Sequence, residues 1–197
     1  VILIMMIVLL ANVVPKAQRS MKNTTQNYLA DMALAYGTMI ENECVDNGNE
    51  AELTPEELKS QLAEVGVKGI TSSYAYVVDK NATMLYHPTA SKIGQSVENT
   101  IVKGLVAQIQ AGTIPESSVT SYNFNGVIKY ASYYVAPDGA FILVISADES
   151  EVLKPVNDMF SSSVVIGIIV AIFMGIICSL IVRKILQPIG LMTSFIT

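Results

Sequence analysis

Seven polar side chains fall on stretches of the sequence that alternate as β-strands do, and their types suit the binding of a small molecule. They are Tyr74, Tyr76, His87, Lys129, Tyr133, Ser146 and Asp148. Tyrosine, histidine and lysine together supply hydrogen-bond donors and positive charge, which suits a small carboxylate. Asp148 adds an acceptor for an amine or a hydroxyl on the same molecule. The set therefore predicts a site for a short carboxylate, a hydroxy acid or an amino acid.

Each of these residues also has an ordinary structural explanation. Tyrosine is a favoured strand residue, so the three tyrosines could equally be half-buried in a sheet. The lysine could be a solvated strand residue, and the histidine precedes a proline and could hydrogen-bond a turn. Asp148 opens the sequence Asp-Glu-Ser-Glu and could cap a helix. The set is therefore more informative than any single member.

Catalytic and metal sites find less support in the sequence. His87 is the only histidine, which excludes a metal site built on several histidines. No G-x-S-x-G turn, G-x-G-x-x-G loop or phosphate-binding loop occurs. We therefore predict that the protein is not an enzyme and needs neither a cofactor nor a metal. A surface hydrolase that uses His87 and Asp148 is the alternative.

Five strands are predicted to carry the polar set. They are Ser73 to Asp79, Thr83 to His87, Val119 to Phe124, Val127 to Val135, and Phe141 to Ala147. Aromatic and β-branched residues dominate these stretches, and turn residues separate them. Asn125-Gly126 is a strong signal for a two-residue hairpin between the third and fourth strands. The pattern predicts a five-stranded antiparallel sheet made of hairpins.

Helical patterns precede, interrupt and follow the strands. The predicted helices are residues 17 to 45, a short helix capped by Thr54, Val97 to Ala111, and Asp148 to Phe160 with a break near Pro155. We expect an α+β fold with the long helix on one face of the sheet. The short helix, the loops and the third helix should cover the other face. Such a cover leaves room for a small ligand between it and the sheet.

Two apolar stretches indicate a membrane. Val164 to Val182 contains no charged residue and is long enough to span a bilayer as a helix. Arg183 and Lys184 follow it, as cations at a membrane surface do. Val1 to Val14 is also apolar and is predicted to be the outer part of a first transmembrane helix, with a signal-peptide core as the alternative.

These stretches predict four regions along the chain. They are a first transmembrane helix at 1–15, an extracytoplasmic ligand-binding domain at 16–160, a second transmembrane helix at 161–184, and the start of a linker at 185–197.

The distribution of charge and the number of cysteines indicate which partners and which kind of cell surface the protein suits. All 17 acidic residues lie between Asp31 and Asp158. An acidic domain of this kind argues against nucleic acid as a partner. The two cysteines, Cys44 and Cys178, are too few for a disulfide framework. A folded exterior domain without disulfides favours a bacterial or archaeal surface.

The order of these elements resembles the single-Cache family of extracellular sensor domains. The residues that carry the resemblance are Tyr-Ala-Tyr-Val-Val-Asp-Lys at 74–80, Met-Leu-Tyr-His-Pro at 84–88, Ile93-Gly94, Lys129-Tyr130-Ala131, and Phe141 to Asp148. After the membrane stretch, Pro188-Ile189 with Met192 and Phe195 resembles the start of a HAMP helix.

The resemblance implies a PAS-like sheet and the sensory half of a methyl-accepting chemotaxis receptor. Such a receptor is a homodimer in the bacterial inner membrane. It crosses the membrane more than once and acts on a cytoplasmic chemotaxis kinase and adaptor through a region that follows residue 197. The same input domain also precedes sensor histidine kinases and diguanylate cyclases, so those outputs stay open. A membrane-anchored binding module without a signalling output is a further alternative.

Overall fold

The computed structural model describes the backbone of residues 2–46 and 54–193, and the side chains of residues 4–43 and 54–184. The contacts divide the chain into two compact units. One is Arg19–Lys154, and the other combines Val1–Gln18 with Pro155–Thr197.

The larger unit is built on a five-stranded sheet in which every neighbouring pair is antiparallel. The strands are β1 (Tyr74–Asp79), β2 (Met84–Tyr86), β3 (Ser118–Phe124), β4 (Val127–Val135) and β5 (Phe141–Asp148). Their order across the sheet is β2-β1-β5-β4-β3, which places the last strand of the sequence in the middle. The predicted α+β fold with a five-stranded antiparallel sheet is confirmed.

The β3–β4 hairpin turns at the two residues that the sequence indicates. Asn125 has a φ of 52° and Gly126 a φ of 86°, so both lie in the left-handed region that asparagine and glycine tolerate best. This tight turn pairs Phe124 with Val127 and, two residues further along, Tyr122 with Lys129. The turn chemistry therefore sets which side chains of β3 lie beside the predicted lysine.

The helices of the structure follow the sequence pattern closely. They are α1 (Ile2–Asp46), α2 (Pro55–Leu62), α3 (Thr100–Gln110), α4 (Glu149–Val152) and α5 (Lys154–Thr193). Thr54 caps α2 with its side chain and Glu57 completes the capping box, as predicted. The predicted break near Pro155 corresponds to the junction of α4 and α5. The predicted break after the long helix, at residues 46–49, falls on positions that from residue 47 onward lie outside the described residues.

One face of the sheet packs against both α1 and α2, and we call it the helix face. Leu29 and Ile40 of α1 and Leu58 and Leu62 of α2 join one buried cluster with the alternate residues of β1, β4 and β5. We predicted α2 on the opposite face, and this was wrong. The apolar pair of α2, four residues apart, shows that the helix buries one side. It does not show which face of the sheet that side meets.

The opposite face, which we call the cavity face, has two differently covered halves. Val102 and Val106 of α3 pack over the apolar row formed by Val78, Ile142 and Val135 on β1, β5 and β4. The other half, around Tyr74 and Lys129, is covered by residues 87–99, which we call the cover segment. This segment contains one short 3₁₀ turn at Ala90–Lys92 and no longer helix or strand.

In the other unit, one helix of the described residues is long and apolar enough to cross a membrane. It lies within α5, at Lys154–Lys184, and contains the predicted span from Val164 to Val182. Residues 2–14 are helical as part of α1, and the first transmembrane helix stays a prediction. Within this unit, Met6 lies against Gly167.

Candidate ligand-binding site

A cavity of about 360 Å³ lies between the sheet and the cover segment. Four of the seven predicted residues line it, namely Tyr74, Tyr76, His87 and Lys129. Residues that the sequence did not single out complete its wall: Met84, Ser91, Lys92, Gln95, Ser96, Val97, Glu98, Asn99, Tyr122 and Phe124. The volume lies in the range of sites for small molecules.

Lys129 is the charged group of the sheet that faces this cavity. It is 9% exposed, and the Asp148 carboxylate binds its ammonium group. The register of β4 and β5 places these two residues directly opposite each other. The lysine Nζ also lies 5.4 Å from the centre of the Tyr74 ring. The site thus holds a buried ammonium group that already has one carboxylate partner.

The tyrosines of the cavity act as neutral hydrogen-bonding groups. Tyr76 Oη accepts a hydrogen bond of 3.2 Å from Nδ2 of Asn99. Burial, with the nearby Tyr122 phenol, raises the pKa of Tyr76 well above its usual value. Burial, with Tyr74 next to it, raises the pKa of Tyr122 to about 12. Both phenols therefore keep their protons at physiological pH and can donate to an anion.

His87 contributes a neutral imidazole to the cavity. Its Nδ1 accepts a hydrogen bond of 2.9 Å from the backbone N–H of Thr89, so the proton of the neutral ring is on Nε2. Burial lowers the pKa of His87, and the positive charge of Lys92 lowers it further. The ring lies edge-on to Tyr74, with 5.2 Å between the ring centres. The histidine is therefore a hydrogen-bond donor at neutral pH.

The cover segment brings a second charge pair to the cavity. Lys92 Nζ lies 3.2 Å from a carboxylate oxygen of Glu98 and 5.5 Å from the centre of the Phe124 ring. Asn99 caps α3 by accepting from the backbone N–H of Ile101, and the same side chain reaches Tyr76. Each lysine of the wall therefore has an acidic partner, and the other donors are uncharged.

The sequence predicted that loops help to cover this face, but it identified neither the residues of the cover segment that line the cavity nor Tyr122, for different reasons. The segment has no periodic pattern, so nothing in the sequence shows which of its side chains point inward. Tyr122 could have been found, because the Asn125-Gly126 hairpin fixes it opposite Lys129. Asn99 could have been recognised as a helix cap, but its bond to a tyrosine of β1 is a tertiary contact.

Three predicted residues do not line the cavity. Tyr133 lies on the cavity face, opposite Ser118, and packs with the apolar cluster under α3. Ser146 is fully buried between Tyr74 and Ala131 in the sheet, and its hydroxyl lies close to the Tyr122 phenol. Asp148 lies next to Lys129 on the same face of the sheet, as its ion-pair partner, and is not part of the cavity wall. A ligand contact for these three stays a prediction.

Metal chemistry has no visible support in the part of the chain that the structure describes. No group of three or more histidine, cysteine, aspartate or glutamate side chains there is placed to hold a metal ion. What the site offers is two paired lysines, neutral phenol and imidazole donors, and aromatic walls. This arrangement can bind an anionic group and leaves Glu98 as an acceptor for an amine.

No protein-family model matches the sequence, and no curated protein matches it. Solved structures with a similar fold are sensory domains. A Cache chemosensory domain studied for carboxylic acid recognition is 14% identical, with a TM-score of 0.48, and the match covers 68% of this chain and 97% of that one. A methyl-accepting chemotaxis protein from Vibrio parahaemolyticus is 11% identical, with a TM-score of 0.47 and coverage of 71% and 98%.

The ligand-binding domain of Mlp24, solved with asparagine, is also similar, at 15% identity and a TM-score of 0.38. That match covers 52% of this chain but 38% of the Mlp24 chain, so this chain spans well under half of it.

Proposed function

We propose that residues 16–160 form an extracytoplasmic sensor domain that binds a short carboxylate, a hydroxy acid or an amino acid. The observation that carries this proposal is the buried ammonium group of Lys129 on the wall of a 360 Å³ cavity. Burying a lysine is costly unless an anion compensates its charge. Asp148 compensates this charge in the structure, and the ammonium group of Lys129 still lines the cavity, where it can bind an anionic group of a ligand.

The neutral donors around this lysine support the same class of ligand. The phenols of Tyr76 and Tyr122 keep their protons, and His87 presents its Nε2–H. Hydrogen bonds to a charged group are stronger than those between neutral groups. A carboxylate in this cavity can therefore be held by one ammonium group and by several uncharged donors.

In this proposal the chain is the sensory part of a transmembrane chemoreceptor that works as a homodimer in the bacterial inner membrane. The signal passes through α5 to a HAMP-type helix and on to the cytoplasmic chemotaxis kinase and its adaptor. A ligand can shift such a receptor only if it binds one of two arrangements more tightly than the other. The support is the sensor-type fold together with one helix that is apolar and long enough to cross a membrane.

Isothermal titration calorimetry of the chain in detergent micelles tests the binding site. The panel is acetate, propionate, lactate, succinate and the common α-amino acids. We expect at least one compound to bind the wild type, and Lys129→Gln to weaken its binding about tenfold to a hundredfold, because a charge-assisted hydrogen bond is lost. Lys103→Gln, an exposed lysine of α3, makes the same change in charge and should leave the affinity unchanged.

Two results would contradict the proposal. One is that no panel compound binds a chain that melts cooperatively. The other is equal affinity of the wild type and Lys129→Gln for a compound that does bind, since the lysine would then have no part in recognition.

A further inference from the structure

Lys129 and Asp148 form an ion pair in which only the lysine faces the cavity. Both side chains are partly buried, with 11% of the lysine side chain and 24% of the aspartate side chain exposed. Lys129 lines the cavity, whereas Asp148 does not. The sheet register holds the two residues directly opposite each other. An incoming anion therefore meets an ammonium group that already has a carboxylate partner.

We infer that Asp148 competes with the ligand for Lys129, so that an anionic ligand binds by replacing the Asp148 carboxylate on the lysine Nζ. This inference rests on the proposed function of the cavity and adds the role of a residue that the ligand does not touch. Asp148 is therefore a specificity-determining residue, because a ligand carboxylate must bind the ammonium group of Lys129 more tightly than Asp148 does. It stands against our own sequence-based prediction that Asp148 accepts a hydrogen bond from the ligand.

The position of Asp148 connects this exchange to the end of the sheet. Asp148 is the last residue of β5 and immediately precedes α4. Its backbone N–H donates a hydrogen bond of 3.0 Å to Oγ of Ser72, and its carboxylate is held by Lys129. A change of partner at the carboxylate therefore acts on the residue where the sheet becomes a helix.

Two further carboxylates fix the start of α4 to other elements. Glu149 accepts a hydrogen bond of 2.5 Å from the Tyr130 hydroxyl on the helix face. Glu151 accepts from the backbone N–H groups of Thr71, at 2.7 Å, and Ser72, at 2.9 Å. Asp148 is thus the one of these three acidic groups that a ligand in the cavity can release, and its release leaves the start of α4 held by the contacts of Glu149 and Glu151 alone.

Titration calorimetry with a matched pair of probes tests the exchange. The probes are propionate and its uncharged amide, propionamide, and the protein is the full chain in detergent micelles. We expect Asp148→Asn to bind propionate about threefold to tenfold more tightly than the wild type, because the lysine is no longer occupied. Binding of propionamide should not tighten. Asp31→Asn, an exposed aspartate of α1, gives the same change in net charge and should behave as the wild type.

The outcomes separate this inference from the proposed function. If the wild type binds propionate and Asp148→Asn binds it equally or more weakly, the exchange is wrong and the binding function stands. If Asp148→Asn binds propionate and the wild type binds no panel compound, the competition is supported and the proposed ligand class of the native site is wrong. If neither protein binds any compound, both are wrong. Asp148→Ser repeats the titration if Asp148→Asn does not fold.

Hydrogen exchange measures the effect on α4. Without ligand, Asp148→Asn should raise the exchange rates of the amides of Glu149–Val152, and propionate should raise them in the wild type. Unchanged rates in both cases would overturn the connection between the ion pair and α4.

Discussion

The two faces of the sheet carry tyrosines in similar positions but use them differently. On the helix face, the hydroxyl of Tyr130 donates to Glu149 and that of Tyr134 donates to Glu41 of α1. On the cavity face, Tyr74 and Tyr122 line open space. The strands supply the same residue type to both faces, so the difference comes from what covers each face.

A regular helix and an irregular segment make different covers. The helix α1 buries Leu29 and Ile40 against the sheet and brings a carboxylate to the edge of that face, so the apolar surface closes and the phenol of Tyr134 finds a partner. The cover segment runs over the other face without a periodic apolar side, and a cavity is left beneath it. Tyrosines in strands therefore do not predict a site by themselves. The nature of the element that covers them does.

The largest effect that we expect is from a core deletion on the helix face. Leu143 of β5 is fully buried there. Leu143→Ala should lower the free energy of unfolding by about 3 kcal/mol, because it removes buried methyl groups and leaves a void. Urea unfolding followed by circular dichroism measures the loss. Val127→Ala, an exposed residue of β4, is the control and should change stability by less than about 0.5 kcal/mol.

A pair of glycine substitutions compares a position where α1 contacts the sheet with an exposed position of α3. A Cβ added at Gly37 of α1 would overlap the ring of Tyr134, whereas one added at Gly104 of α3 meets no atom within 4 Å. Gly37→Ala should lower the free energy of unfolding by about 1–3 kcal/mol through overpacking. Gly104→Ala should raise it by about 0.5–1 kcal/mol, since alanine favours the helix. Thermal melts of both variants measure the two effects. Shifts of the two melting temperatures in the same direction would contradict the expected difference.

Removing one hydroxyl from each face tests the different uses of tyrosine. Tyr130→Phe breaks the hydrogen bond to Glu149 and should lower the free energy of unfolding by about 1 kcal/mol, without weakening the binding of a carboxylate. Tyr122→Phe should do the reverse, with little change in stability and weaker binding. Urea unfolding measures the stability of both variants, and titration calorimetry measures their affinity for a carboxylate. Equal losses of affinity would show that the two faces do not differ in this way.

The smallest effect concerns pH and His87. Burial lowers the pKa of its imidazole in the folded protein below the ordinary value of 6.5. The unfolded chain then binds a proton more readily, so this residue reduces stability as the pH falls from about 6.5 through the lower folded pKa. Above pH 6.5 its contribution is constant. Melting temperatures of the wild type should therefore fall more steeply below pH 6.5 than those of His87→Gln, and parallel curves would contradict the prediction.

Local chemistry made the strands and caps predictable from the sequence. The β4 strand has the bounds that the pattern indicates, because Asn125-Gly126 fixes its start and Pro137 follows its end. The cap of α2 was also predictable, since Thr54 and Glu57 interact within one turn of helix. Such features depend on residues a few positions apart in the chain.

Contacts between distant segments were not predictable in the same way. The side of the sheet that α2 packs against depends on how Leu58 and Leu62 fit with α1, which no local pattern encodes. The pairing of Lys129 with Asp148 depends on the register of β4 with β5, so both residues were proposed as ligand contacts. In the structure the lysine lines the cavity, whereas the aspartate next to it on β5 does not.

The central position of β5 has a consequence for the synthesis of the protein. Two hairpins, β1–β2 and β3–β4, can pair as soon as they are made, but they are joined only by β5 between them. Tyr74 pairs with Ser146, which is far along the chain, and such distant pairings slow folding. Until β5 is added, β1 and β4 each have an unpaired edge that can recruit another chain. We expect pulse-labelling during refolding to show that amides of β1 and β4 become protected together with those of β5.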